Sequence, residues 1–327
     1  MGERVALRAR ATYTESAPSS PTSPPNYLVK LSYLTGIALF IAFVALIEFY
    51  FGWRNLLAPW RALPYSLLFL AIILTFFTYW VRAMRLYDYF RDEMRGAFAA
   101  CLKLMLLHNF FNNLLPMRTG EVSFPILMKR YFDVPLMRST PALLWFRVLD
   151  LHTLVLLALG ITLRPWTYAG AACLLWLSVP YLLFLANAKL LNYMNAHPGG
   201  RPRRLLHKIL TSLPYSHSAF WRAWLWTAIN WVVKLGVFVW VLRLFIEIPF
   251  AAAWLGVIGG DVTSVLPIHA FAGAGTYEAG VVAALLPFGA PAVAAFKAAV
   301  NLHLFLLATT LLGGALSLLL SRPAQHG

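Results

Sequence analysis

Charged side chains stand inside apolar segments of this sequence, where each must be paired, hydrated or put to use. Arg118 and Glu121 are three residues apart, as are Arg147 and Asp150, so each couple shares one face if its segment is helical. Polar residues surround them, namely His108, Asn112, Asn113 and His152. The residues leave two interpretations open, which are internal ion pairs that fasten helices together and a polar cavity.

Such a cavity would suit a phosphate, because a planar guanidinium donates two parallel hydrogen bonds to phosphate oxygens. Lysines in other apolar runs would add point charges, and helix ends at the breaks would direct backbone amides at an anion. The acidic residues would balance the arginines, or carry a proton or a cationic headgroup. The predicted binding residues are Arg118, Arg147, Asn113 and Lys297, with Lys103 and Lys234 as further cations. The predicted counter-charges or coupling groups are Glu121, Asp150 and Glu278.

Motifs for a metal, a nucleotide or a covalent intermediate are absent from the sequence. Asp261, with Thr263 and Ser264, could hold a cation, but a polar contact between helices explains these residues as well. The two cysteines stand in apolar runs without metal or redox spacing. GxxxxGK[ST], HExxH, GxSxG and CxxC do not occur. Residues 53–62 also lack the acid that membrane glycosyltransferases place in that loop. We therefore expect no cofactor, no metal and no enzymatic active site.

The composition indicates an all-α integral membrane protein. Hydrophobic residues make up 60% of the chain and charged residues 12%, whereas a soluble domain has about 25% charged residues. Residues 1–30 are polar and rich in Ser and Pro, which predicts a disordered tail and no cleavable signal peptide. A helix needs about 20 apolar residues to cross the hydrocarbon core. Six segments have this character, at about 33–52, 64–82, 140–163, 167–187, 220–245 and 292–320.

Two further apolar stretches, 96–130 and 250–287, are interrupted by polar residues, Gly and Pro. Most Lys and Arg residues lie in the N-terminal tail and in segments 82–95, 118–138 and 188–222, which places these regions and both termini in the cytoplasm. The first stretch must then open to the cytoplasm and the second to the outside, as re-entrant hairpins or as full crossings. The breaks are predicted at Pro116, Gly120, Pro267 and Gly275.

The halves 64–163 and 220–320 share the plan of span, hairpin and span, in opposite orientation. Both hairpins also contain Leu-Pro, then a basic or titratable residue, then Gly and Glu, within NNLLPMRTGE and SVLPIHAFAGAGTYE. Inverted repeats with broken helices are typical of transporters. We therefore predict a single transmembrane domain over 31–322, with six spans, two opposed re-entrant hairpins and a basic cytoplasmic loop at 188–219.

The N-x-x-P-x-R-x-G-E pattern of residues 113–121, the later Arg147 and the GAGTYE segment resemble the lysylphosphatidylglycerol synthase transmembrane-region family, also called the flippase-like domain family. The resemblance covers about residues 30–320 and implies a lipid-translocating membrane domain. This sequence shows no soluble synthase domain, so lipid synthesis is not expected. Asn301-Leu302-His303 stands where relatives often carry Arg. The family pattern points to Asn113, Pro116, Arg118, Gly120, Glu121, Arg147, Gly275 and Glu278.

The favoured hypothesis is flippase-like or scramblase-like translocation of a phosphate-bearing lipid across the bacterial inner membrane. Two alternatives stay open, namely an accessory subunit that supplies lipid to a lipid-modifying or glycosyl-transferring enzyme, and an integral membrane transferase. The expected partners are a membrane phospholipid or other lipid phosphate and, for the basic stretch 201–210, anionic lipid of the inner leaflet. The net charge of +15 is assigned to cytoplasmic loops and not to nucleic-acid binding.

Overall fold

A computed structural model describes residues 26–163, 166–197, 199–214, 216–265 and 271–320, and within those ranges the chain is helical with no strand. The α-helices, in chain order, are α1 (Asn26–Phe51), α2 (Trp53–Leu57), α3 (Tyr65–Tyr89), α4 (Phe98–Leu114), α5 (Ser123–Phe132), α6 (Leu136–Thr162), α7 (Trp166–Ala196), α8 (Arg201–Leu210), α9 (His217–Arg243), α10 (Phe250–Val265), α11 (Thr276–Leu285) and α12 (Ala292–Leu319). The all-α prediction is confirmed.

Proline and glycine set several helix ends. Pro64, Pro135 and Pro291 directly precede α3, α6 and α12, where a missing backbone N–H costs no helical hydrogen bond. Asp133, with a φ of 54°, ends α5 in the left-handed region. Gly275, with a φ of 79°, precedes α11. A residue with a Cβ would be strained at that φ, so the tight start of α11 depends on glycine.

Six segments of the described chain are long and apolar enough to cross a membrane, and the protein is a multi-pass membrane protein. Helix α1 matches the predicted first span and ends at Phe51, and the chain then bends by 84° between residues 37–51 and 53–62. The sixth segment, 271–288, lies where the second hairpin is predicted. The other five coincide with predicted spans, at 65–89, 136–162, 170–196, 217–243 and 292–319.

Each broken stretch forms a helical hairpin. In the first, α4 and α5 are joined by a 3-10 turn over Pro116–Val122, and α5 has 10 residues. Ten residues extend about 15 Å, roughly half of the hydrocarbon core. In the second, α10 is followed by the 271–288 segment, which is long enough to cross. The re-entrant course of the hairpins and the inverted relation of the halves therefore stay predictions.

The two halves are interlocked by their hairpins. Helix α4 of the first hairpin packs against α12, and α10 of the second hairpin packs against α6. Helices α3 and α9, the first helix of each half, pack directly against each other. Two hydrophobic clusters fill the interior, one around α9, α10, α11 and α12, and the other around the end of α3 with α4, α5 and α6. Each half thus contributes helices that complete the other.

Helices α10 and α11 approach closely at two glycines. A Cβ on Gly259 would lie 2.4 Å from the carbonyl oxygen of Gly280, and a Cβ on Gly280 would lie 2.5 Å from the carbonyl oxygen of Gly259. Small residues at such crossings let helix backbones pack tightly inside a membrane. The second hairpin therefore depends on these two positions.

We expect Gly259→Ala to lower the free energy of unfolding by about 1–3 kcal/mol, because the new methyl group overpacks a backbone contact. Gly236→Ala on α9 is the matched control, since no atom lies within 4 Å of a Cβ at that position. Thermal unfolding in detergent measures both variants. Equal melting temperatures for the two would contradict the close packing.

Candidate functional site

A polar cavity, here called the central cavity, lies between the two halves and is lined by side chains from α3, α4, α6, α9, α11 and α12. Its polar residues include three cations, three asparagines, a histidine and two tyrosines. They are Arg82, Arg147, Lys234, Asn109, Asn112, Asn113, His303, Tyr79 and Tyr277. Most of the lining helices are candidate membrane spans. The cavity therefore gathers basic and amide groups where lipid would otherwise exclude them.

Arg82 is the cation of this cavity that has only neutral partners among the described residues. Its Nε donates to Asn230 Oδ1 at 3.0 Å and its Nη1 donates to Asn109 Oδ1 at 3.2 Å. The guanidinium also lies 5.9 Å from the centre of the Trp231 ring. No carboxylate of the described chain lies within 4.0 Å of it. Asp150 attracts Arg82 from beyond that distance, and an anion in the cavity would be its first direct charged partner.

A chain of four charged residues extends from Arg147, which lines the central cavity. Arg147 Nε donates to Glu121 Oε1 at 2.7 Å, and Arg147 Nη1 lies 3.4 Å from Asp150 Oδ2. Asp150 also accepts from Arg85 Nη1 at 2.7 Å and from Trp231 Nε1 at 3.0 Å. The order is therefore Glu121, Arg147, Asp150 and Arg85. The predicted Arg147–Asp150 couple is formed, and it is the centre of a larger network.

Lys234 is held by an acid on the neighbouring helix. Its Nζ donates to Asp261 Oδ1 at 2.7 Å, and it lies 4.8 Å from the centre of the Trp231 ring. Asp261 is 0% exposed. Of the two interpretations of Asp261, the structure favours a polar helix contact, and no group of metal ligands occurs among the described residues.

A second buried pair links α11 to α12. Glu278 Oε1 lies 2.7 Å from His303 Nδ1, and Glu278 Oε2 accepts from the Gly275 backbone N–H at 2.8 Å. The Tyr277 and His303 rings have centres 4.6 Å apart. His303 and Tyr277 both line the central cavity. The Glu278–His303 pair therefore connects the start of α11 to the central cavity.

Two buried polar atoms on the cavity wall have no hydrogen-bond partner within the described part of the chain. They are the Tyr277 hydroxyl and Asn112 Oδ1. Buried polar groups are nearly always hydrogen-bonded, and each unpaired one costs about 1–3 kcal/mol. The central cavity thus offers donors and acceptors that a polar ligand or water would satisfy.

The predicted site residues take different positions. Arg147 and Asn113 line the cavity, and Asn113 Nδ2 donates to Thr310 Oγ1 at 2.8 Å. Glu121, Asp150 and Glu278 hold the side chains around it.

Two predicted cations lie away from the cavity. Lys297 is exposed near the start of α12, and its Nζ is 5.4 Å from the centre of the Phe51 ring. Lys103 donates to the backbone carbonyl of Leu320 at 2.7 Å. Neither lines the central cavity, so their predicted contact with a phosphate has no support from this geometry.

The predicted hairpin breaks coincide with turns where they are described. A Cβ on Gly120 would lie 2.2 Å from the carbonyl oxygen of Phe111, so the turn packs directly on α4. Gly275 stands at the start of α11. Pro267 and the side chains of Pro116 and Arg118 lie outside the described residues.

Sequence reasoning missed Arg82 and Arg85, which it assigned to a cytoplasmic segment at 82–95. Both residues belong to α3, which continues to Tyr89, and both line interior cavities, while the side of the membrane at which α3 ends stays a prediction. A signal was present in the spacing: polar residues recur every three or four positions at Thr75, Thr78, Arg82 and Arg85. A matching stripe runs along α9 at Thr227, Asn230 and Lys234. The two stripes meet in the Arg82–Asn230 and Arg85–Thr227 hydrogen bonds.

Comparison with known proteins identifies one family. The family described as lysylphosphatidylglycerol synthase TM region matches residues 33–314, which is most of the chain. No curated protein and no solved structure matches the chain.

The Arg85–Asp150 pair provides a test of the buried network. We expect Arg85→Met to lower the free energy of unfolding by about 3 kcal/mol, because it leaves a buried carboxylate short of one partner. Adding Asp150→Asn should recover part of that loss, since a neutral amide is cheaper to bury. Denaturant unfolding of the two single variants and the double variant in detergent measures the coupling.

The half-exposed Arg222–Asp88 pair, with Nε and Oδ2 at 2.8 Å, is the matched control for this cycle. The same double-mutant cycle there should give a coupling below about 1 kcal/mol. A coupling at Arg85–Asp150 no larger than at Arg222–Asp88 would refute the importance of the buried network.

Proposed function

We propose that the chain, which belongs to the lysylphosphatidylglycerol synthase TM region family, moves a phosphate-bearing lipid across the bacterial inner membrane. The family is a membrane domain linked to lipid handling. In this proposal the lipid phosphate occupies the central cavity while the acyl chains stay in the bilayer. The lipid is moved without chemical change, so the chain acts as a transporter and not as an enzyme.

The observation that carries the proposal is the environment of Arg82. A cation inside a membrane protein is costly unless an opposite charge or water compensates it, and Arg82 has only amide oxygens as hydrogen-bond partners in the described structure. Arg147 and Lys234 line the same cavity, so a phosphate there would face three cations. Arg82 would bind the phosphate directly, and the other two would add attraction while keeping their own carboxylates.

The acidic residues have roles consistent with this arrangement. Glu121 and Asp150 hold Arg147 in place, which keeps its guanidinium oriented without a ligand. Glu278 and His303 are a separate buried pair that touches the cavity through His303. Carboxylate and imidazole side chains inside membranes are typical of proton relays, so this pair is the proposed place for coupling transport to a proton.

The membrane orientation is part of the same proposal. Both termini and the basic helix α8 would lie on the cytoplasmic side, where anionic lipid attracts Lys and Arg. Helix α8 exposes Leu205 and Leu206 together with Arg204 and Lys208, as expected for a helix that lies on a leaflet. A lipid-modifying enzyme would be a natural partner, because it would supply the lipid to be moved.

We expect Arg82→Gln to slow transport of fluorescent phosphatidylglycerol in proteoliposomes by about 30-fold, the factor that ~2 kcal/mol of lost charge pairing represents. Arg82→Lys should have an intermediate effect, because it keeps the charge but loses the paired donors. Fluorescence quenching of the outer leaflet measures the rate.

Arg54→Gln is the control for this test, because Arg54 is exposed on the short helix α2 and lines none of the described cavities. A wild-type transport rate for Arg82→Gln would contradict the proposed phosphate site at Arg82. Mass spectrometry of the recovered lipid separates transport from transferase activity, because a transporter leaves the mass of the lipid unchanged.

A further inference from the structure

A second cavity, here called the side pocket, lies between the end of α3, the start of α6, residues 211–214 and the start of α9. Its cavity volume is about 270 Å³, close to the lower end of the range of about 300–1,000 Å³ for small-molecule sites. Its wall combines apolar groups such as Met137 and Leu213 with the charged groups Arg85, Asp88 and Arg138. That mixture suits the junction between a polar headgroup and its apolar chains.

The side pocket is connected to the central cavity through one arginine. Arg85 lines the side pocket and also a narrow third cavity, whose wall includes Arg82, Arg147 and Asp150. Arg82 and Arg147 in turn line the central cavity. The side pocket, the third cavity and the central cavity therefore form a row in that order. The Arg85–Asp150 ion pair lies between the side pocket and the central cavity.

We propose that the side pocket is a loading site for the phosphate ester of a lipid headgroup, and that Arg85 passes this phosphate toward the central cavity by exchanging its partner Asp150 for it. This inference rests on the proposed function, because it describes how the transported headgroup reaches Arg82. In this proposal the side pocket binds a ligand, and Arg85 does more than hold helices together through a buried ion pair.

The exchange leaves no buried charge without a partner. Arg85 Nη1 donates to Asp150 Oδ1 at 2.7 Å and to Thr227 Oγ1 at 2.9 Å. If a phosphate replaces Asp150 at Arg85, Asp150 still has Arg147 at 3.4 Å and Trp231 at 3.0 Å. Breaking a buried ion pair is costly mainly because one charge stays unpaired. Here Arg85 gains the phosphate and Asp150 keeps Arg147 and Trp231, so the ligand lowers the cost of opening the pair.

A basic helix adjoins the mouth of the side pocket and supplies its excess of positive charge. Arg138 on the wall is about half exposed, and its charge is balanced by Glu93. Arg222, also about half exposed, pairs with Asp88 of the wall at 2.8 Å. The basic helix α8 ends directly before Thr211, which is another wall residue. Positive side chains around an opening raise the local concentration of anionic headgroups.

A thiol-protection experiment tests loading directly. Ala219 lines the side pocket, and Ser218 beside it is exposed and does not. Ala219→Cys is compared with Ser218→Cys in the full chain carrying Cys173→Ser, with the remaining Cys101 buried. The protein is placed in nanodiscs of a phosphate-free glycosyl diacylglycerol alone or with added phosphatidylglycerol, and a water-soluble maleimide reports the labelling rate.

We expect phosphatidylglycerol to slow labelling of the residue-219 thiol by about tenfold, because the bound headgroup occupies the pocket, and to leave the residue-218 thiol unchanged. Soluble glycerol phosphate and inorganic phosphate are added in separate arms. Protection by the lipid alone supports a site that binds the headgroup only when it belongs to a lipid in the bilayer. Protection by the soluble phosphates as well supports recognition of the phosphate group itself. Absence of protection in every arm overturns the loading site.

Filling the pocket provides a second test. Ala219→Trp should lower lipid transport by about tenfold, because the indole excludes the headgroup. Leu225→Trp on the exposed face of the same helix should keep the wild-type rate. Size-exclusion profiles and melting temperatures of both variants identify any folding defect, and the thiol-protection result then decides.

The outcomes separate the two proposals. Protection of the residue-219 thiol in a protein that moves no lipid supports the loading site and contradicts the proposed transport. If transport depends on Arg82 but is unchanged by Ala219→Trp, and if lipid does not protect the residue-219 thiol, the loading site is overturned and the transport proposal stands. Protection that persists in Arg82→Gln, together with slow transport, supports loading as the earlier step.

Discussion

Asp150 joins helices that would otherwise be separate parts of the bundle. Its carboxylate accepts from Arg85 on α3 and from Trp231 on α9, while Arg147 on its own helix connects it to Glu121 at the hairpin turn. Unpaired charges in a membrane cost several kcal/mol, so the helices that carry them must stay in register. The packing of α3, α6 and α9, and with it the shape of the cavities, follows from this requirement.

The need to compensate buried charge also distinguishes cations that are already paired with an acid from cations that are available to a ligand. Lys234 has Asp261, and Arg147 has Glu121, so these cations are compensated in the absence of a ligand. Arg82 is positioned by amide oxygens, which orient a guanidinium without neutralising it. A site built in this way is oriented in advance and keeps its affinity for an anion. This difference among neighbouring cations is why the proposed phosphate site centres on Arg82.

Part of this arrangement could be predicted from the chain. The apolar runs and the i, i+3 spacing of Arg147 and Asp150 indicated a helical membrane protein with charges in its interior, and both are present. The interior position of Arg82 and Arg85 was not predicted. Their spacing with Thr75 and Thr78 puts them on one polar face of α3. That spacing does not identify the helix which the face meets, because the partner is far away in sequence.

Hydrophobicity, helix length and turn chemistry are local properties, so the sequence was sufficient to establish the helical class, five of the six candidate spans and the glycine at the start of α11. The identity of each ion pair is not local. Glu121 and Arg147 are 26 positions apart, and Arg85 and Asp150 are 65 apart. Which acid neutralises which base, and which arginine is left for a ligand, depends on how α3, α6 and α9 pack together in three dimensions.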